Sequence, residues 1–333
     1  MPAPNEETRV SSFTEILNSQ YKVKDEKLVK ALVALGEASA SITNIMTNYV
    51  SHTYAGTQNK SGDDQLDLDI DCDNAVFDAV RKSSVFSIAA SEETPVETLV
   101  GDAESGDAIY SLGFDPLDGS SIIDANFSVG SIFGIWPGKG VLGRTGREQV
   151  ASAVTLYGPR TTLCIALPSS STTLGKDIVF EITLTSVDGL ESSKWEVSRD
   201  DIKIQANGKV FAPGNLRASN DNEKYNKLIQ YWISERYTLR YTGGMVPDVY
   251  HIFAKSKGVF SNVSSEKAKA KLRLLYEVAP MGLIVECAGG VTTHESYDAS
   301  VLDEKIDDLD KRLGVCFGSS NEVATYKKIM FEN

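Results

Sequence analysis

The segment GFDPLDGSSIID, residues 113–124, constrains the fold of this chain more than any other stretch of it. It places three carboxylates, Asp115, Asp118 and Asp124, between two apolar runs, AIYSLGF before it and FSVGSIFGIW after it. Short apolar runs bounded by turn residues predict buried strands, and an unpaired carboxylate is costly to bury. The segment is therefore either a turn in solvent or a place where carboxylates hold something cationic.

The residue types within the segment fit both interpretations. Pro116 fixes the backbone and Gly119 permits a tight turn, and Asp-Pro and Asp-Gly pairs are common in surface turns. Asp115, however, directly follows an apolar strand pattern, and ligand crevices form at the carboxyl ends of strands in open α/β sheets. A helix or turn that opens at Ser120 and Ser121 would offer free backbone N–H groups to an anion. One short segment would then serve both a metal ion and a phosphate.

Other acids also follow apolar runs, which favours the metal interpretation. Glu92 and Glu93 come one residue after VFSIAA, and Glu277 lies between an apolar run and a helix start in LLYEVAP. The segment GDDQLDLDID adds acids in a loop and just beyond it: Asp63, Asp67, Asp69 and Asp71. If these positions converge in space, their oxygen-only ligands select hard cations, Mg²⁺ or Mn²⁺. The combination of a cation site and an adjacent anion site is what a metal-dependent phosphatase needs.

Several other classes of protein are excluded by motif and charge. The three histidines lack acidic partners at motif spacing, and neither GxSxG nor GxxxxGK[ST] occurs, so a serine hydrolase and a P-loop protein are not expected. The net charge of −13 would repel a phosphate backbone and an anionic membrane surface. We therefore expect neither nucleic acid nor a membrane as a partner. The acidic start MPAPNEETRV is unlike a secretory or transit signal, which predicts a cytoplasmic protein, or a plastid stromal one only if a transit peptide has been removed.

The apolar pattern predicts an α/β (α+β) layered sandwich with alternating helix and sheet layers. Strands are expected in SVFSIAA, AIYSLGF, SVGSIFGIWPG, TTLCIALP, DIVFEITLT and RLGVCFGS. Helices are expected over residues 26–50, 65–82, 145–158, 221–237, 245–255, 279–290 and 320–333, with residues 51–65 as a loop. A change in composition near residues 205–215 divides the chain into a metal-binding lobe, 1–205, and a substrate-binding lobe, 206–333.

The motifs together resemble those of the fructose-1,6-bisphosphatase family, within the lithium-sensitive sugar and inositol phosphatase superfamily. The resemblance is carried, in the family's order, by SEE, FDPLDGSSIIDANFSVGSIFGIW, RYTGGMVPDV, AKLRLLYEVAPMG and ECAGG, and it covers roughly residues 25–330. Within the family, the chain is most similar to the branch that acts on sedoheptulose 1,7-bisphosphate. This similarity rests on Ile122 in DPLDGSSIID, on the segments YGPRTT and FAPGNLRASNDN, and on Asn262, which stands where fructose bisphosphatases place a phosphate-binding tyrosine. The resemblance implies Mg²⁺-dependent hydrolysis of the 1-phosphate of that sugar. Fructose 1,6-bisphosphate, or both substrates, is the alternative.

The resemblance also implies roles for individual residues. Two or three Mg²⁺ ions per site, with Mn²⁺ as the alternative, are expected on Glu92, Asp115, the carbonyl of Leu117, Asp118, Glu277 and the loop acid Asp63. Asp69 and Glu93, with Asp63, are the expected catalytic acids that orient and deprotonate a water. Asp118, Gly119, Ser120 and Ser121 are expected around the departing phosphate. The sugar and distal phosphate are expected on Asn215, Arg240, Tyr241, Met245 and Lys271, with Arg240 lent by a neighbouring subunit of a homodimer or homotetramer.

Two departures from the family pattern concern regulation. The sedoheptulose enzymes of chloroplasts carry a disulfide-forming cysteine pair in the loop before the Gly-Asp of the metal site, and the corresponding loop here, residues 51–64, has no cysteine. The threonine-rich helix start of the AMP site is not recognisable near KVKDEKLVKALV. Thiol switching and AMP inhibition are therefore not expected. A binding protein that has lost catalysis is a third interpretation, which the loss of an acid ligand would have favoured, and none is lost.

Overall fold

The structure is a computed structural model that describes residues 12–49, 54–58, 64–101, 109–187 and 193–332. Its α-helices are α1 (Phe13–Glu15), α2 (Glu26–Thr47), α3 (Asp67–Ser83), α4 (Glu223–Ser234), α5 (Met245–Lys255), α6 (Ala279–Cys287) and α7 (Ser320–Phe331). A π-helical segment at Ile16–Gln20 comes before α2, and another at Leu274–Val278 leads into α6. Short 3₁₀ helices cover Ser120–Ala125, Gly146–Glu148, Leu216–Asn220 and Val301–Asp303.

Most strands belong to two sheets. The larger sheet has the order β10-β9-β8-β7-β6-β5-β3-β4, from β3 (Phe86–Ser91), β4 (Thr98–Leu99), β5 (Tyr110–Asp118), β6 (Val129–Pro137), β7 (Ala151–Tyr157), β8 (Thr161–Leu167), β9 (Ile178–Val187) and β10 (Ser193–Arg199). The smaller sheet has the order β12-β11-β13-β15-β14, from β11 (Val210–Gly214), β12 (Thr238–Leu239), β13 (Val259–Asn262), β14 (Val291–His294) and β15 (Val315–Gly318). A separate antiparallel pair joins β1 (Tyr54–Gln58) and β2 (Asp64–Leu66).

Helix and sheet layers alternate through the molecule. Helices α2 and α3 cover one face of the eight-stranded sheet, and α5 and α6 lie between the two sheets and contact both. Helices α4 and α7 cover the outer face of the five-stranded sheet, with Tyr225, Trp232 and Tyr326 in its core. Each sheet is therefore buried on both faces, which is why many of its strands read as nearly continuous apolar runs. This confirms the predicted α/β layered sandwich.

Two predictions of local structure were wrong. Residues 145–158 form a 3₁₀ turn and strand β7 rather than a helix. β7 lies between β6 and β8 and is buried on both faces, so it lacks the polar alternation that distinguishes a strand from a buried helix. Within the predicted loop 51–65, Tyr54–Gln58 and Asp64–Leu66 pair as strands. The other predicted helices and strands each have a counterpart in the structure, with boundaries shifted by a few residues.

Helix α2 shows why length and apolar composition alone do not identify a membrane span. Among the described residues it is the one helix long and apolar enough to cross a bilayer, although the sequence had suggested no such segment. In the structure 61% of its most apolar window is buried inside the fold, where Leu28, Leu32 and Leu35 belong to the core beneath the larger sheet. This packing is that of a core helix.

Candidate active site

Two of the predicted metal ligands lie where the pairing of two parallel strands ends. Strands β3 and β5 pair in parallel as far as Ser91 and Phe114, so Glu92, just after β3, and Asp115, within β5, lie at the same end of this pairing. The backbone N–H of Glu92 donates to the carbonyl of Phe114 at 3.1 Å, which continues the ladder by one residue. The prediction that the ends of the apolar runs meet is therefore confirmed for this pair.

An irregularity in β5 brings its two aspartates together. In a regular strand, side chains three residues apart point to opposite faces. The register of the β5–β6 pairing shifts between Asp115 and Asp118, as in a β-bulge, and the hydroxyl of Ser131 on β6 donates to the carbonyl of Pro116 at 2.7 Å. Gly119 follows in the left-handed region, with φ 91°, where a residue with a Cβ would be strained. The Pro and Gly of the segment thus shape a strand end that presents both carboxylates to one place.

The third carboxylate of the cluster arrives from the other half of the chain. Glu277 lies in the π-helical turn that leads into α6, and such turns occur frequently at functional sites. One carboxylate oxygen each from Asp115, Asp118 and Glu277 lies within 4.8 Å of the other two, and all three side chains are buried. This is the ligand set expected for a hard divalent cation.

Burial and mutual repulsion disfavour the ionised form of these acids. Burial, followed by the charge of Glu92, raises the pKa of Asp115 and of Glu277 well above the usual carboxyl range. Burial raises the pKa of Asp118 to about 7, against the opposing effect of the N–H groups of Val246 and Met245. Three buried carboxyls in contact cannot all ionise cheaply without a counter-charge. A divalent cation between them would supply that charge, so the donor set and its electrostatics fit Mg²⁺.

The protein holds each carboxylate in place with backbone N–H groups. Leu117 donates to Asp115 at 2.9 Å, and Val246 at the start of α5 donates to Asp118 at 2.6 Å. Arg273 donates through its backbone to Glu277 at 2.6 Å. Met245 also donates to the second oxygen of Asp118, at 3.3 Å. Each carboxylate keeps lone pairs for a cation, and these bonds preserve the geometry of the cluster.

Arg273 is a functional residue that the sequence analysis missed. Its buried guanidinium pairs with Glu92 and, at 2.8 Å, with Asp310. Burial alone would lower the pKa of Arg273, but the charges of Glu92, Glu277 and Asp310 together raise it above its usual value. It therefore supplies a fixed positive charge beside the carboxylate cluster. A sequence signal did exist, because Arg273 precedes Glu277 by four residues and follows Lys271 by two. However, Arg273 ends the basic run KAKAKLR, and nothing in that run distinguishes it from the lysines.

The predicted catalytic acids belong to elements that contact β5, the strand of Asp115 and Asp118. Asp69 is buried in the first turn of α3, and Glu93 is half-buried just after β3. The charges of Asp69 and Asp115 both act on the thiol of Cys72 on α3. Asp73, four residues after Asp69, was not predicted, although the helical spacing places it on the same face. Its carboxylate accepts from Thr94 at 2.9 Å, and burial raises its pKa.

The other predicted residues of the reacting end are placed as follows. Leu117 is buried within β5, and Gly119 joins that strand to the 3₁₀ helix Ser120–Ala125, so Ser120 and Ser121 begin that helix. Met245 donates its backbone N–H to Asp118 at 3.3 Å. Asp63 lies outside the described residues.

The predicted distal-phosphate residues gather at one edge of the smaller sheet. Strands β12, β11 and β13 are parallel, and Asn215, Arg240 and the segment that leads to Lys271 all follow their carboxyl ends. Partial burial raises the pKa of the Tyr241 hydroxyl at this edge. Arg240 and Lys271 are exposed, and within the part of the chain that the structure describes Lys271 has no ion-pair partner. The edge therefore presents cations to solvent in a chain whose net charge is −13.

We expect the thermal stabilisation by Mg²⁺ to grow as pH rises. Because the pKa values of Asp115, Asp118 and Glu277 are raised, the metal-free folded state binds more protons than the unfolded chain between about pH 4 and 7. The free energy of unfolding of the metal-free protein therefore falls as pH rises through that range. Mg²⁺ binds the ionised carboxylates and opposes this loss. At a roughly 100-fold excess over Kd the stabilisation is about 2.7 kcal/mol, or several degrees in Tm.

The measurement is Tm with and without Mg²⁺ at pH 5.5 and pH 8, with NaCl at equal ionic strength as the control. A Tm increment of the same size at both pH values would contradict the assignment of the buried acids to the metal.

The four cysteines predict activity that does not depend on thiol redox state. All four are buried, and burial raises the pKa of Cys287 to about 12 and those of Cys72, Cys164 and Cys316 well above the usual thiol range. Thiols of this kind react slowly. We expect equal activity after incubation with a reduced dithiol and with an oxidised one. A large reversible difference between these two samples would show that at least one thiol is accessible.

Comparison with known proteins agrees with this geometry. Residues 10–177 match the model described as "Fructose-1-6-bisphosphatase, N-terminal domain", and residues 204–331 match the model of the C-terminal domain. A chloroplastic sedoheptulose-1,7-bisphosphatase of Triticum aestivum is 45% identical over 308 residues, which cover 92% of this chain and 74% of that protein. A class 1 fructose-1,6-bisphosphatase of Geobacter sulfurreducens is 34% identical over 307 residues, covering 92% and 91%.

A solved structure is similar over nearly its whole length. It is a 1.85 Å crystal structure from Toxoplasma gondii, provisionally assigned as a sedoheptulose-1,7-bisphosphatase. It is 34% identical to this chain with a TM-score of 0.85, and the match covers 96% of this chain and 98% of that one. The likeness thus extends over nearly the whole of both chains.

Proposed function

Because this chain belongs to the fructose-1,6-bisphosphatase family, we propose that it hydrolyses the 1-phosphate of sedoheptulose 1,7-bisphosphate to give sedoheptulose 7-phosphate and phosphate. The observation that carries the reaction type is the buried cluster of Asp115, Asp118 and Glu277. The higher identity to the plant sedoheptulose enzyme, 45% against 34% for the bacterial fructose enzyme, supports the choice of substrate. Fructose 1,6-bisphosphate, or activity on both substrates, is the alternative.

We propose Mg²⁺, at two or three ions per site, as the cofactor. Glu92, Asp115, Asp118, Glu277 and the carbonyl of Leu117 would hold these ions, and Asp63 is proposed as a further ligand. Bound Mg²⁺ supplies Lewis-acid chemistry, which neutralises phosphate charge and lowers the pKa of a water. Arg273 keeps Glu92 beside the cluster through their ion pair, and Asp310 holds the other side of its guanidinium.

The protein's own acids would prepare the attacking water. Asp69 and Glu93 are proposed to orient this water and to accept its proton, since Asp69 lies on α3 and Glu93 just after β3, and both elements contact β5. The water oxygen forms a bond to phosphorus as the bond from phosphorus to the C1 oxygen breaks. Gly119, Ser120 and Ser121 are proposed to surround the departing phosphate. The C1 oxygen takes up a proton to become the hydroxyl of the product.

The second phosphate would bind at the cationic edge of the smaller sheet. Lys271 and Arg240 are proposed to hold it as cations, and Tyr241 and Met245 are proposed to contact the sugar. Met245 links this end to the reacting end, because its backbone N–H donates to Asp118. The loan of Arg240 across a homodimer or homotetramer interface and the cytoplasmic location are proposed on the sequence alone.

Lys271→Ala should weaken substrate binding more than it slows the chemistry. The distal phosphate does not react, so its contact is equally strong in the ground and transition states, and its removal raises KM with kcat little changed. A loss of about 10-fold in binding is expected for one charge-assisted contact. Steady-state kinetics of the variant measure both constants. Constant KM with a collapsed kcat would instead place Lys271 at the reacting end.

Identification of the product tests the proposed reaction. The purified chain is incubated with Mg²⁺ and sedoheptulose 1,7-bisphosphate, and the products are followed by phosphorus NMR. We expect one equivalent of inorganic phosphate and sedoheptulose 7-phosphate, and no turnover when Mg²⁺ is chelated. Release of the 7-phosphate, or release that survives chelation, would contradict the proposal.

A further inference from the structure

The hydrogen bonds of Asn215 leave it little capacity to hold a phosphate. Its side-chain amide nitrogen donates to the carbonyls of Val263 and Ala268, at 2.8 and 3.0 Å, which uses both of its N–H groups. Its backbone is in the left-handed region, at φ 50° and ψ 40°, where asparagine is tolerated better than most residues. Asn215 thus ties the end of β11 to the segment that follows β13. It is a positioning residue in this arrangement.

The side-chain oxygen of Asn215 orients a cation that the sequence analysis did not single out. The Nε of Arg217 donates to the Oδ1 of Asn215 at 3.1 Å. Among the described residues no carboxylate pairs with Arg217, and its Nη1 and Nη2 groups make no hydrogen bond there. The outer face of the guanidinium, with its parallel N–H groups, is therefore exposed, and the bond through Nε restricts its orientation. Such a fork matches the oxygens of a phosphate in a bidentate manner.

Arg217 is also close to a residue already proposed for the sugar site. Its positive charge opposes the rise in the pKa of the Tyr241 hydroxyl that partial burial causes. The nearby acid, Asp248, is buried and accepts from the N–H groups of Thr242 and Gly243 at 2.7 and 3.2 Å. That carboxylate is engaged by the backbone and is not paired with the guanidinium.

We propose that Arg217 is a specificity-determining residue that binds the phosphate on the far end of the sugar chain, with Asn215 holding it in position. The inference rests on the proposed function and adds to the distal-phosphate site a contact that the family pattern did not supply. Because Arg217 lies in the 3₁₀ segment beyond the end of β11, it reaches a phosphate on a chain that extends past the strand ends. It favours the seven-carbon substrate over the six-carbon one.

The test compares Arg217→Ala with Lys227→Ala, which removes an exposed cation from α4 and is the matched control. Isothermal titration in Mg²⁺ measures the binding of sedoheptulose 7-phosphate, which carries the distal phosphate and does not react. We expect Arg217→Ala to weaken this binding at least about 10-fold, and Lys227→Ala to leave it unchanged. Arg217→Lys should recover part of the loss, because it keeps the charge without the planar fork.

Kinetics on the same proteins separate the contact from a structural effect. Arg217→Ala should raise KM for sedoheptulose 1,7-bisphosphate more than KM for fructose 1,6-bisphosphate, with kcat within about 3-fold of the original chain. Equal binding of sedoheptulose 7-phosphate by the original chain and Arg217→Ala would overturn this inference alone. Failure of the original chain to release phosphate from either bisphosphate would overturn the proposed function, and the inference with it.

Discussion

Asp118→Asn is expected to lower kcat by at least about 10³-fold. The substitution keeps the size of the side chain and removes one charge from the cluster that Asp115 and Glu277 complete. A preorganised electrostatic group of this kind contributes a factor of that order when it is removed from an active site. Phosphate release from the bisphosphate at saturating Mg²⁺ measures the effect.

The control for this prediction is an aspartate far from the cluster. Asp78→Asn changes an exposed carboxylate on α3 that pairs with Arg81, three residues on, and an exposed pair contributes less than about 1 kcal/mol. We expect its kcat to equal that of the original chain. Circular dichroism and Tm show whether Asp118→Asn is folded, since Asp118 also accepts the backbone N–H groups that begin α5. Near-normal turnover in a folded Asp118→Asn protein would remove Asp118 from the metal site.

Glu93→Gln is expected to lower kcat by about 10²- to 10⁴-fold, the contribution typical of a general base. The amide keeps the shape of the carboxylate but cannot accept a proton from the attacking water. Because Glu93 is proposed to act on the water and not on the metal, KM and the Tm increment produced by Mg²⁺ should stay near their original values. Steady-state kinetics and thermal melts of the same preparation provide both measurements.

Glu92→Gln should differ from Glu93→Gln in the Tm increment that Mg²⁺ produces. Glu92 pairs with Arg273, and its charge adds to burial in raising the pKa values of Asp115 and Glu277. Glu92→Gln should therefore reduce the Tm increment produced by Mg²⁺. If Glu93→Gln reduced that increment while Glu92→Gln did not, the roles of the two residues would be reversed.

The position of the site could be predicted from the sequence because strand ends are visible in it. Asp115 follows an apolar run directly and Glu92 follows one after a single serine, and parallel pairing of those runs brings the two acids to one edge. The bulge between Asp115 and Asp118 could not be predicted, because it depends on the pairing with β6 and on the bond from Ser131 to Pro116. A regular strand would have separated the two carboxylates.

Long-range partners explain the residues that the sequence analysis missed. Arg273 is a member of a basic run, and only the fold shows that its side chain is buried between Glu92 and Asp310. Arg217 is likewise one exposed cation among many until its bond to Asn215 is known. Strand β7 was mistaken for a helix because its periodicity is lost where both faces of a central strand are buried. The local hydrophobic pattern predicts most helices and strands, but the contacts of Arg273 and Arg217 can be seen only in the tertiary structure.

The central claim is that the chain is a Mg²⁺-dependent bisphosphatase with sedoheptulose 1,7-bisphosphate as its preferred substrate. It is tested most directly by phosphate release from that substrate and from fructose 1,6-bisphosphate, at equal enzyme and equal Mg²⁺, with kcat/KM determined for each. The account predicts Mg²⁺-dependent release with the larger kcat/KM for the sedoheptulose substrate. A larger kcat/KM for fructose 1,6-bisphosphate would contradict the choice of substrate, and release from neither would contradict the enzyme assignment itself.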